Sequence, residues 1–249
     1  MTARRILVTG STRGIGRAIA ERFLKDGETV YLHGRSADAV DRVLSDLRAK
    51  FPQVQGVAGD LADRQRLRDL ASAVGELDVL VNNAGYYVEE TVEQVTAESW
   101  NSLMAVNVSA AWFLAKAFLL SLRQRRGTIV NIASDAAFVG IPGGASYCAS
   151  KGALVGLTRA LAMELIPDVR SLCICPGPVE TDMMWNQVAT APDPAVMREQ
   201  WMSFAPLNRV AKPEEIAALV AHAANPQASF ATGAAWLIDG GQTAGKRLA

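Results

Sequence analysis

The sequence of 249 residues contains only three cysteines and two histidines. Cys148, Cys173 and Cys175 lack the C-x-x-C spacing, and His33 and His222 lie far apart in the chain. We therefore do not expect a metal site built from cysteine and histidine ligands, and we predict no bound metal. Three unpaired cysteines instead fit small buried thiols in the reducing cytoplasm, which is the location that we expect.

An excess of charge of one sign is also missing, as are long apolar runs. Twenty-five basic residues balance twenty-five acidic ones, which argues against nucleic acid or an anionic membrane surface as a partner. The most apolar stretch, AAWFLAKAFLL at 110–120, is interrupted by a lysine, so we expect no membrane span. The N-terminal residues run directly into a predicted strand and leave no room for a signal peptide.

Short apolar runs alternate with segments of helical periodicity along most of the chain. The runs lack strict apolar–polar alternation, as expected for strands that are buried on both faces. We predict strands at 4–9, 29–33, 54–58, 78–82, 127–133, 169–175 and 234–239, and helices at 14–26, 37–50, 63–74, 97–123, 147–166 and 213–224. This repetition predicts a doubly wound α/β fold in one domain, 1–249, with a seven-stranded, mostly parallel sheet and helices on both faces.

One segment breaks this regularity. Residues 176–212 carry five prolines and several large apolar side chains. A long connection of this kind is either an ordinary surface excursion or a lid over a ligand. Because ligands of open α/β sheets bind beyond the carboxyl ends of the strands, we favour a substrate lid at 182–206.

Three glycines stand where the first predicted strand turns into the first predicted helix. Gly10, Gly14 and Gly16 form the pattern G-x-x-x-G-x-G. Glycines at such a turn let the backbone approach a pyrophosphate, and the helix that follows presents unpaired N–H groups and the positive end of its dipole. The position of this turn predicts a dinucleotide site.

Taken together, the motifs of the chain resemble those of the short-chain dehydrogenase/reductase family. They occur in family order as TGSTRGIG at 9–16, GDL at 59–61, NNAG at 82–85, VNV at 106–108, YCASK at 147–151, PGPVET at 176–181 and TGAAWLIDGG at 232–241. The resemblance covers nearly the whole chain and implies a Rossmann fold with a nicotinamide cofactor.

The resemblance also implies which residues bind the cofactor. By family position they are Gly10, Thr12, Arg13, Gly14, Ile15, Gly16, Gly34, Arg35, Asp60, Leu61, Asn83, Ala84, Gly85, Tyr147, Lys151, Pro176, Gly177, Val179 and Thr181. Asp60 and Leu61 would flank the adenine. Two plainer roles stay open, because Asn82 and Asn83 would also suit a turn cap and Asp60 would also suit a helix cap.

The end of the second strand bears on the choice of cofactor. Relatives that prefer NAD usually carry an acidic residue at this tip, where the chain has Gly34 followed by Arg35. A carboxylate would repel the 2′-phosphate of NADP(H), whereas the guanidinium groups of Arg13 and Arg35 would pair with it. We expect NADP(H), with NAD(H) as the alternative and two exposed, ligand-free arginines as the plainer reading.

Tyr147 and Lys151 are four residues apart on a predicted helix and therefore share one face. Moving the pKa of a tyrosine from about 10 to near neutrality requires roughly 4 kcal/mol. One positive charge at about 4 Å, in an effective dielectric of about 20, supplies that much. We therefore expect Lys151 to lower the pKa of Tyr147, and oxidised nicotinamide to add further positive charge.

The resemblance extends this pair to a catalytic set of Asn107, Ser134, Tyr147 and Lys151. Ser134 would stabilise the substrate oxygen while Tyr147 exchanges a proton with it. Lys151 would also bind the nicotinamide ribose, and Asn107 would hold the water end of a proton relay. Taken alone, Ser134 also fits a helix or turn cap, and Asn107 fits a satisfied buried amide.

Substrate contacts are expected after Ser134, after the NNAG motif and in the lid. The candidates are Ser134, Asp135, Gly143, Tyr147, Met183, Met184 and Trp185, with Tyr86 and Phe138 as further ones. Methionine and tryptophan favour an apolar pocket wall, although cover for the core or for an interface suits them equally. For Asp135, where relatives more often carry a small residue, a substrate contact and a turn cap both stay open.

The implied reaction is reversible hydride transfer between nicotinamide and a carbonyl or secondary alcohol carbon, with a substrate of small to medium size and largely apolar character. One alternative is an NAD-dependent polyol or cyclic-alcohol dehydrogenase. Another is a non-catalytic nucleotide- or ligand-binding protein on the same scaffold. The resemblance implies a homotetramer, because members of the family often assemble through the two long helices that correspond to 97–123 and 147–166. Both segments are rich in Ala and Leu, and the first also contains Trp100 and Trp112.

Overall fold

The computed structural model describes residues 3–245. Within this range seven strands form one sheet in the order β3-β2-β1-β4-β5-β6-β7, and each neighbouring pair is parallel. The strands are β1 (Arg5–Val8), β2 (Thr29–Gly34), β3 (Gln55–Ala58), β4 (Val79–Asn82), β5 (Thr128–Ile132), β6 (Arg170–Pro176) and β7 (Ala235–Ile238). The predicted α/β fold is confirmed, and the sheet is entirely parallel across the described strands.

The helices cover the two faces of this sheet. They are α1 (Gly14–Lys25), α2 (Ala37–Arg48), α3 (Arg64–Val74), α4 (Ala97–Met104), α5 (Ala110–Ala117), α6 (Leu119–Gln124), α7 (Ala145–Leu165), α8 (Asp182–Thr190), α9 (Pro194–Ser203) and α10 (Pro213–Ala223). Polar residues fix several of their starts: the Asp63 carboxylate accepts the N–H of Gln65 at 2.7 Å, and Thr96 forms a reciprocal capping box with Ser99.

The core has two main layers, because alternate residues of each strand point to opposite faces. Ile6 and Val8 of β1 pack into the layer formed with α1, α2 and α10, whereas Leu7 packs into the layer formed with α3, α5, α6 and α7. All three side chains are completely buried. Burial on both faces explains why the strands read as continuous apolar runs in the sequence.

The strand order reverses direction between β1 and β4. From β1 the chain winds outward through β2 and β3, and it then returns to the other side of β1 with β4. In doubly wound sheets a ligand crevice opens at this point, beyond the carboxyl ends of the strands. The loops after β1 and β4 carry the glycine turn and the NNAG motif, so the fold brings these two motifs together.

The single helix predicted at 97–123 is wrong in detail. The segment contains α4, one wider π-helical turn at Ala105–Ser109, α5 and α6, with a break in helical geometry at Phe118. The π turn inserts one extra residue into the helical path, and the N–H of Ala110 bonds to the carbonyl of Ala105. Such a turn uses the same residue types as an α-helix, so helical periodicity alone did not reveal it.

The connection after β6 is more regular than its proline content suggested. Residues 182–203 form α8 and α9, and Pro194 occupies the first turn of α9 behind the capping carboxylate of Asp193. Proline is tolerated at this position because the N–H that it lacks would have no helical partner. Across residues 3–245, none of the helices is both long enough and apolar enough to cross a bilayer.

Candidate active site

The glycine turn after β1 follows a path that side chains would obstruct. Gly10 and Gly14 have φ angles of +63° and +54°, a region in which side chains are strained. A Cβ at Gly10 would lie 2.9 Å from the Cα of Ala84, and a Cβ at Gly16 would lie 2.3 Å from the carbonyl oxygen of Gly10. The turn is therefore closely packed against the NNAG loop and leaves bare backbone at the carboxyl edge of the sheet.

Helix α1 begins at this turn with its N–H groups available. Arg13 occupies the cap position without a side-chain cap, and the first turn holds no acidic residue. Unpaired N–H groups and the positive end of the helix dipole favour a bound anion. The bare turn and the uncapped helix together fit the pyrophosphate of a dinucleotide.

Thr9 and Asn83 bind the glycine turn to the loop after β4. The Thr9 hydroxyl accepts the N–H groups of Asn83 at 2.9 Å and Ala84 at 3.0 Å. The Asn83 side chain donates to the carbonyls of Thr9 at 2.9 Å and Gly10 at 3.1 Å. Asn83 thus stabilises the turn from outside, a structural role that it can hold beside cofactor binding.

His33 supports the same turn from the end of β2, although the sequence indicated no role for it. Its Nδ1 accepts the N–H of Gly10 at 3.1 Å, and its Nε2 contacts the carbonyl of Gly59 at 3.0 Å. Burial lowers the pKa of His33, which keeps the ring neutral and able to accept this bond.

Asp60 follows Gly59 and is exposed, and its carboxylate accepts the N–H of Ala62 at 2.9 Å. The open alternative that Asp60 caps the next helix does not hold, because Asp63 caps α3. Leu61 is buried in the layer around α3.

A side chain at position 34, at the tip of β2, would force the neighbouring side chains to shift. A Cβ on Gly34 would lie 2.7 Å from the Thr12 methyl carbon and 3.0 Å from Val40. This contact brings the glycine turn beside the end of β2. Arg13 directly follows Thr12 in the chain and Arg35 directly follows Gly34, so the two arginines lie on either side of the contact. Both arginines are exposed, and among residues 3–245 neither forms a salt bridge.

The segment after β6 closes the other side of the glycine turn. A Cβ on Gly14 would lie 3.5 Å from the methyl carbon of Thr181. Pro176 ends β6, the N–H of Gly177 donates to the carbonyl of Ile238 at 3.1 Å, and Val179 is buried. The PGPVET segment therefore lies beside the glycine turn at the carboxyl edge of the sheet, and its contact with nicotinamide stays a prediction. Ile15, the remaining predicted residue of the turn, is partly buried against the core.

Tyr147 and Lys151 share one face of α7, as the spacing predicted. The Lys151 ammonium lies 5.5 Å from the centre of the Tyr147 ring and donates to the carbonyl of Ile132 at 2.9 Å. Burial lowers the pKa of Lys151 to about 8. The buried thiols of Cys173 and Cys175 oppose this change.

The expected lowering of the Tyr147 pKa is wrong for the protein by itself. Burial raises the pKa of Tyr147, and a hydrogen-bonding interaction with the Ser134 hydroxyl only partly opposes that rise. The Lys151 ammonium is directed at Ile132 rather than at the tyrosine oxygen, so its charge does not offset the burial. Lowering this pKa therefore requires a further positive charge, which oxidised nicotinamide would supply.

Asn107 lies in the π-helical turn, and its side chain forms three hydrogen bonds. Its amide donates to the Tyr86 carbonyl at 3.0 Å and to the Ser150 hydroxyl at 3.1 Å, and its oxygen accepts the N–H of Tyr86 at 3.1 Å. Ser150 in turn donates to the Tyr147 carbonyl at 2.7 Å. The plainer reading, a satisfied buried amide, therefore describes this side chain. A relay role for Asn107 stays a prediction.

Gly85 lets Asn107 and Lys151 approach each other. A Cβ on Gly85 would lie 3.2 Å from the Asn107 oxygen and 3.4 Å from the Lys151 nitrogen. Asn107 itself is 2% exposed and Lys151 is 4% exposed. The NNAG loop, the π turn and α7 thus meet in one buried cluster.

Ser134 follows β5 and caps a short 3-10 turn at Asp135–Ala137. Its hydroxyl donates to the Asp135 carboxylate at 2.7 Å and accepts the N–H of Ala136 at 3.2 Å. The turn-cap role is therefore present in addition to the proximity to Tyr147. Asp135 is buried, which places a carboxyl group immediately beside the catalytic candidates.

The candidate substrate residues do not form one surface. The Gly143 carbonyl accepts the N–H of Glu90 at 2.8 Å, so it adjoins the loop after NNAG. Met183 is exposed, whereas Met184 is 1% exposed and packs inside the protein. Trp185 lines a cavity of about 370 Å³ with Gly14 and Arg17, on the outer side of the glycine turn. Phe138 is exposed and Tyr86 is partly buried.

Tyr87 is a contact that sequence reasoning missed. Its ring meets the Tyr147 ring edge-on, with 5.1 Å between the ring centres. An edge-to-face pair of this kind restrains the orientation of both rings. Its position directly after Tyr86, in the loop that was already a candidate, was the available signal.

These sites define an α/β oxidoreductase scaffold with a dinucleotide crevice, and comparisons with known proteins identify its family. A family described as enoyl-(acyl carrier protein) reductase matches residues 10–243. Meso-2,3-butanediol dehydrogenase of Serratia marcescens is 37% identical over 243 residues, covering 96% of this chain and 94% of that protein.

Two solved structures have the same fold over nearly the whole chain. A short chain dehydrogenase/reductase family protein is 35% identical, with a TM-score of 0.88 and 97% coverage of both chains. A single-substitution variant of actinorhodin polyketide ketoreductase with NADPH is 30% identical, with a TM-score of 0.91 and 97% coverage of both chains. The chain belongs to the short-chain dehydrogenase/reductase family and is an oxidoreductase that uses a nicotinamide cofactor.

Proposed function

We propose that the protein is an NADP(H)-dependent oxidoreductase of small to medium, largely apolar carbonyl compounds and secondary alcohols. The observation that carries the proposal is the cluster of the half-buried Tyr147 with Ser134, Lys151 and Asn107, which are buried; this cluster lies against the NNAG loop at the dinucleotide crevice. A binding protein without catalysis would not need a tyrosine, a hydroxyl and a buried ammonium to converge there.

The proposed roles follow from the atoms that each side chain presents. Bound nicotinamide supplies or accepts the hydride and, when oxidised, carries a positive charge. The Tyr147 hydroxyl gives its proton to the substrate oxygen during reduction and takes it back during oxidation. Lys151 holds a buried positive charge beside the tyrosine ring and would contact the nicotinamide ribose. The π turn at Asn107 fixes the NNAG loop and, through Ser150, the backbone of Tyr147.

The catalytic proposal is tested with two variants that each remove one hydroxyl. Tyr147→Phe should bind NADPH with an unchanged Kd and lose at least 100-fold in kcat, because its proton donor is gone. Tyr87→Phe removes the hydroxyl of the neighbouring ring but keeps the edge-on contact, and it is the matched control. Loss of activity in both variants, or normal turnover in Tyr147→Phe, would overturn the assignment of Tyr147 as the proton donor.

The proposed preference for NADP(H) rests on the tip of β2. Gly34 brings no carboxylate to this tip, and Arg13 and Arg35 are exposed cations that directly follow Thr12 and Gly34, which are in contact. A charge-assisted hydrogen bond contributes about 1.5–3 kcal/mol. Each arginine should therefore raise the affinity for NADPH by roughly 10- to 100-fold without affecting the affinity for NADH.

This preference is measured as kcat/KM with both cofactors. Arg35→Ala and Arg13→Ala should lower the value for NADPH about tenfold or more and leave the value for NADH within twofold. Arg123→Ala, an exposed arginine at the end of α6, is the matched control. A tenfold preference of the unmodified protein for NADH would contradict the proposal.

A second candidate function is supported by the 37% identical butanediol dehydrogenase. Here the chain would oxidise a polyol, a vicinal diol or a cyclic alcohol with NAD. A panel of aldehydes, ketones, 3-oxoesters, sugars and diols, each assayed with both cofactors, separates the two functions. Highest kcat/KM for a diol with NAD would establish the second one, and inactivity throughout the panel would favour the non-catalytic alternative.

We also propose a homotetramer, in which exposed apolar side chains of the α4–α6 and α7 region are covered by other copies. Trp112 and Leu120 on one side and Met163 on the other are 41%, 71% and 73% exposed. Sedimentation that shows only monomer at micromolar concentration would refute this assembly. The lid role of 182–206 and the cytoplasmic location stay predictions.

A further inference from the structure

The ring of His33 joins two loops of the dinucleotide crevice. Its Nδ1 accepts the N–H of Gly10 in the glycine turn at 3.1 Å, and its Nε2 contacts the carbonyl of Gly59, after β3, at 3.0 Å. His33 is 3% exposed, so the ring meets these two partners inside the protein. Both polar atoms of the side chain are therefore used to connect the turn after β1 with the loop after β3.

The backbone of His33 is bound to the same turn. Its N–H donates to the Ser11 hydroxyl at 2.8 Å, and its carbonyl accepts the N–H of Ser11 at 2.9 Å. Ser11 is completely buried. These two bonds fix the point from which the ring extends, so the ring acts as a rigid spacer between Gly10 and Gly59.

The two ring bonds also fix the tautomer. Because Nδ1 accepts a hydrogen bond, the single hydrogen of the neutral ring must lie on Nε2, from where it is donated to the Gly59 carbonyl. The other tautomer would direct Nδ1–H at the N–H of Gly10. Burial lowers the pKa of His33, which favours the neutral ring.

Gly10 is held from two sides. Its carbonyl accepts the side-chain amide of Asn83 at 3.1 Å, and its N–H is bound by His33. Gly10 has a φ angle of +63°, outside regular secondary structure, so side chains rather than a helix or a strand supply these bonds. Asn83 belongs to the NNAG motif, whereas His33 belongs to none of the motifs on which the family resemblance rests.

The loops that His33 joins are expected to bind different parts of one cofactor. The glycine turn would bind the pyrophosphate, Gly34 and Arg35 would adjoin the adenosine ribose, and Asp60 and Leu61 would flank the adenine. His33 directly precedes Gly34 and reaches the other two loops through its ring. A spacing that is fixed before the ligand arrives lowers the cost of ordering the site on binding.

We propose that His33 is a positioning residue for the adenosine half of the cofactor and acts as the neutral ring with its hydrogen on Nε2. NADPH and NADH share the pyrophosphate and the adenine, so the affinities for both should depend on His33 alike. Turnover with saturating cofactor should not depend on it, because β5, the π turn and α7 build the catalytic cluster. The inference rests on the proposed placement of the dinucleotide.

The test compares His33→Phe with His33→Asn. Phenylalanine fills the space of the ring without its nitrogens, whereas asparagine offers an oxygen near the position of Nδ1. His33→Phe should raise the Kd of both NADPH and NADH about tenfold, and His33→Asn should raise them about threefold or less. The KM for the cofactor should rise with Kd, and kcat at saturating cofactor should stay unchanged. Binding is measured by fluorescence titration well below the melting temperature.

Two control variants separate this role from other effects. Arg170→Lys weakens the fold at the start of β6, at the opposite edge of the parallel sheet, and should leave both Kd values unchanged. Arg35→Ala should weaken the binding of NADPH alone. Unchanged Kd values in His33→Phe would refute the positioning role, and equal losses in His33→Phe and His33→Asn would refute the assignment to Nδ1.

A further variant and a spectrum keep the proposal open to refutation if His33→Phe folds poorly. His33→Gln keeps a donor for Gly59 but offers no acceptor to Gly10, so it should bind both cofactors more weakly than His33→Asn; equal affinities would refute the proposal. The chain has two histidines, so the loss of signals in His33→Asn identifies the ring nitrogens of His33 in a ¹⁵N NMR spectrum. A hydrogen on Nδ1 at neutral pH would also overturn it.

The outcomes distinguish this inference from the proposed function. If Tyr147→Phe is inactive but His33→Phe binds both cofactors normally, the positioning role is refuted and the oxidoreductase proposal stands. If Arg13→Ala and Arg35→Ala bind NADPH normally but His33→Phe weakens both cofactors, the positioning role stands without the preference for NADP(H). If the unmodified protein binds neither cofactor, the proposed function fails and this inference fails with it.

Discussion

Gly16→Ala is the substitution that tests most directly how the crevice is built. The added Cβ would lie 2.3 Å from the Gly10 carbonyl oxygen and 2.4 Å from the Asn83 amide nitrogen. Both atoms belong to the contact that joins the glycine turn to the NNAG loop. The substitution must therefore push these two loops apart.

The expected loss can be assembled from three contributions. Overpacking of a closed site costs about 1–3 kcal/mol, and each of the two weakened Asn83 bonds contributes about 1 kcal/mol. Alanine recovers about 1 kcal/mol over glycine within a helix. We expect a net loss of about 2–4 kcal/mol, which for a chain of this size lowers Tm by about 4–16 °C.

The measurement is thermal unfolding followed by circular dichroism, together with NADPH binding followed by fluorescence. Gly156→Ala is the matched control, since this exposed glycine lies within α7 and its Cβ would meet nothing within 4 Å. It should raise the stability by about 0.5–1 kcal/mol. A Gly16→Ala protein that melts at or above the unmodified temperature and binds NADPH normally would refute this account of the turn.

Three further perturbations probe the supports of the site. Burial lowers the pKa of His33 below 6.5, so below that pH the unfolded chain binds a proton that the folded chain resists. The Tm should therefore fall between pH 7 and pH 5, and it should fall less in His33→Asn. Equal slopes of Tm against pH in the two proteins would contradict this reasoning. Arg170 donates to four backbone carbonyls and to Thr128, so Arg170→Lys should lose about 3 kcal/mol in urea unfolding; a loss below 1 kcal/mol would contradict it. Asn131 accepts a hydrogen bond from Asn82 and donates one to Thr158, both at 2.8 Å. Asn131→Ala should therefore lower the free energy of unfolding by about 2–4 kcal/mol, and Thr158→Val should lower it by less because only one of the two bonds is lost. Equal losses in the two variants would contradict this account.

The strands and the cofactor crevice could be predicted because their signals are local. Each strand is an apolar run that polar or turn-forming residues bound, and the predicted limits agree with the structure to within one or two residues. The glycine turn was recognisable for the same reason. Bare backbone is required where Gly10 meets Ala84, and only the smallest residue permits it.

The features that were missed depend on distant partners. The π turn at 105–109 has the composition of an α-helix, and the bonds of Asn107 to Tyr86 and Ser150 come from other segments. The pKa of Tyr147 was expected to fall because the spacing fixed only the distance to Lys151. Spacing could not reveal that Lys151 is buried and Tyr147 half-buried, or that the ammonium would bond to the carbonyl of Ile132.

Helices α8 and α9 were missed for a different reason. A high proline content predicts irregular structure, yet Pro194 stands directly after Asp193, which caps α9. That pair of residues is itself a helix-start signal. Position within the element, rather than the number of prolines, was the informative quantity.

The contact of Gly34 with Thr12 and Val40 also bears on how the cofactor specificity of this chain could be redesigned. An aspartate introduced at position 34 would meet the Thr12 methyl before it could reach any ribose. A carboxylate intended to favour NAD would therefore have to enter at position 35, where the side chain is exposed. An engineer who began at position 34 would first have to replace Thr12 with a smaller residue, and would disturb the glycine turn in doing so.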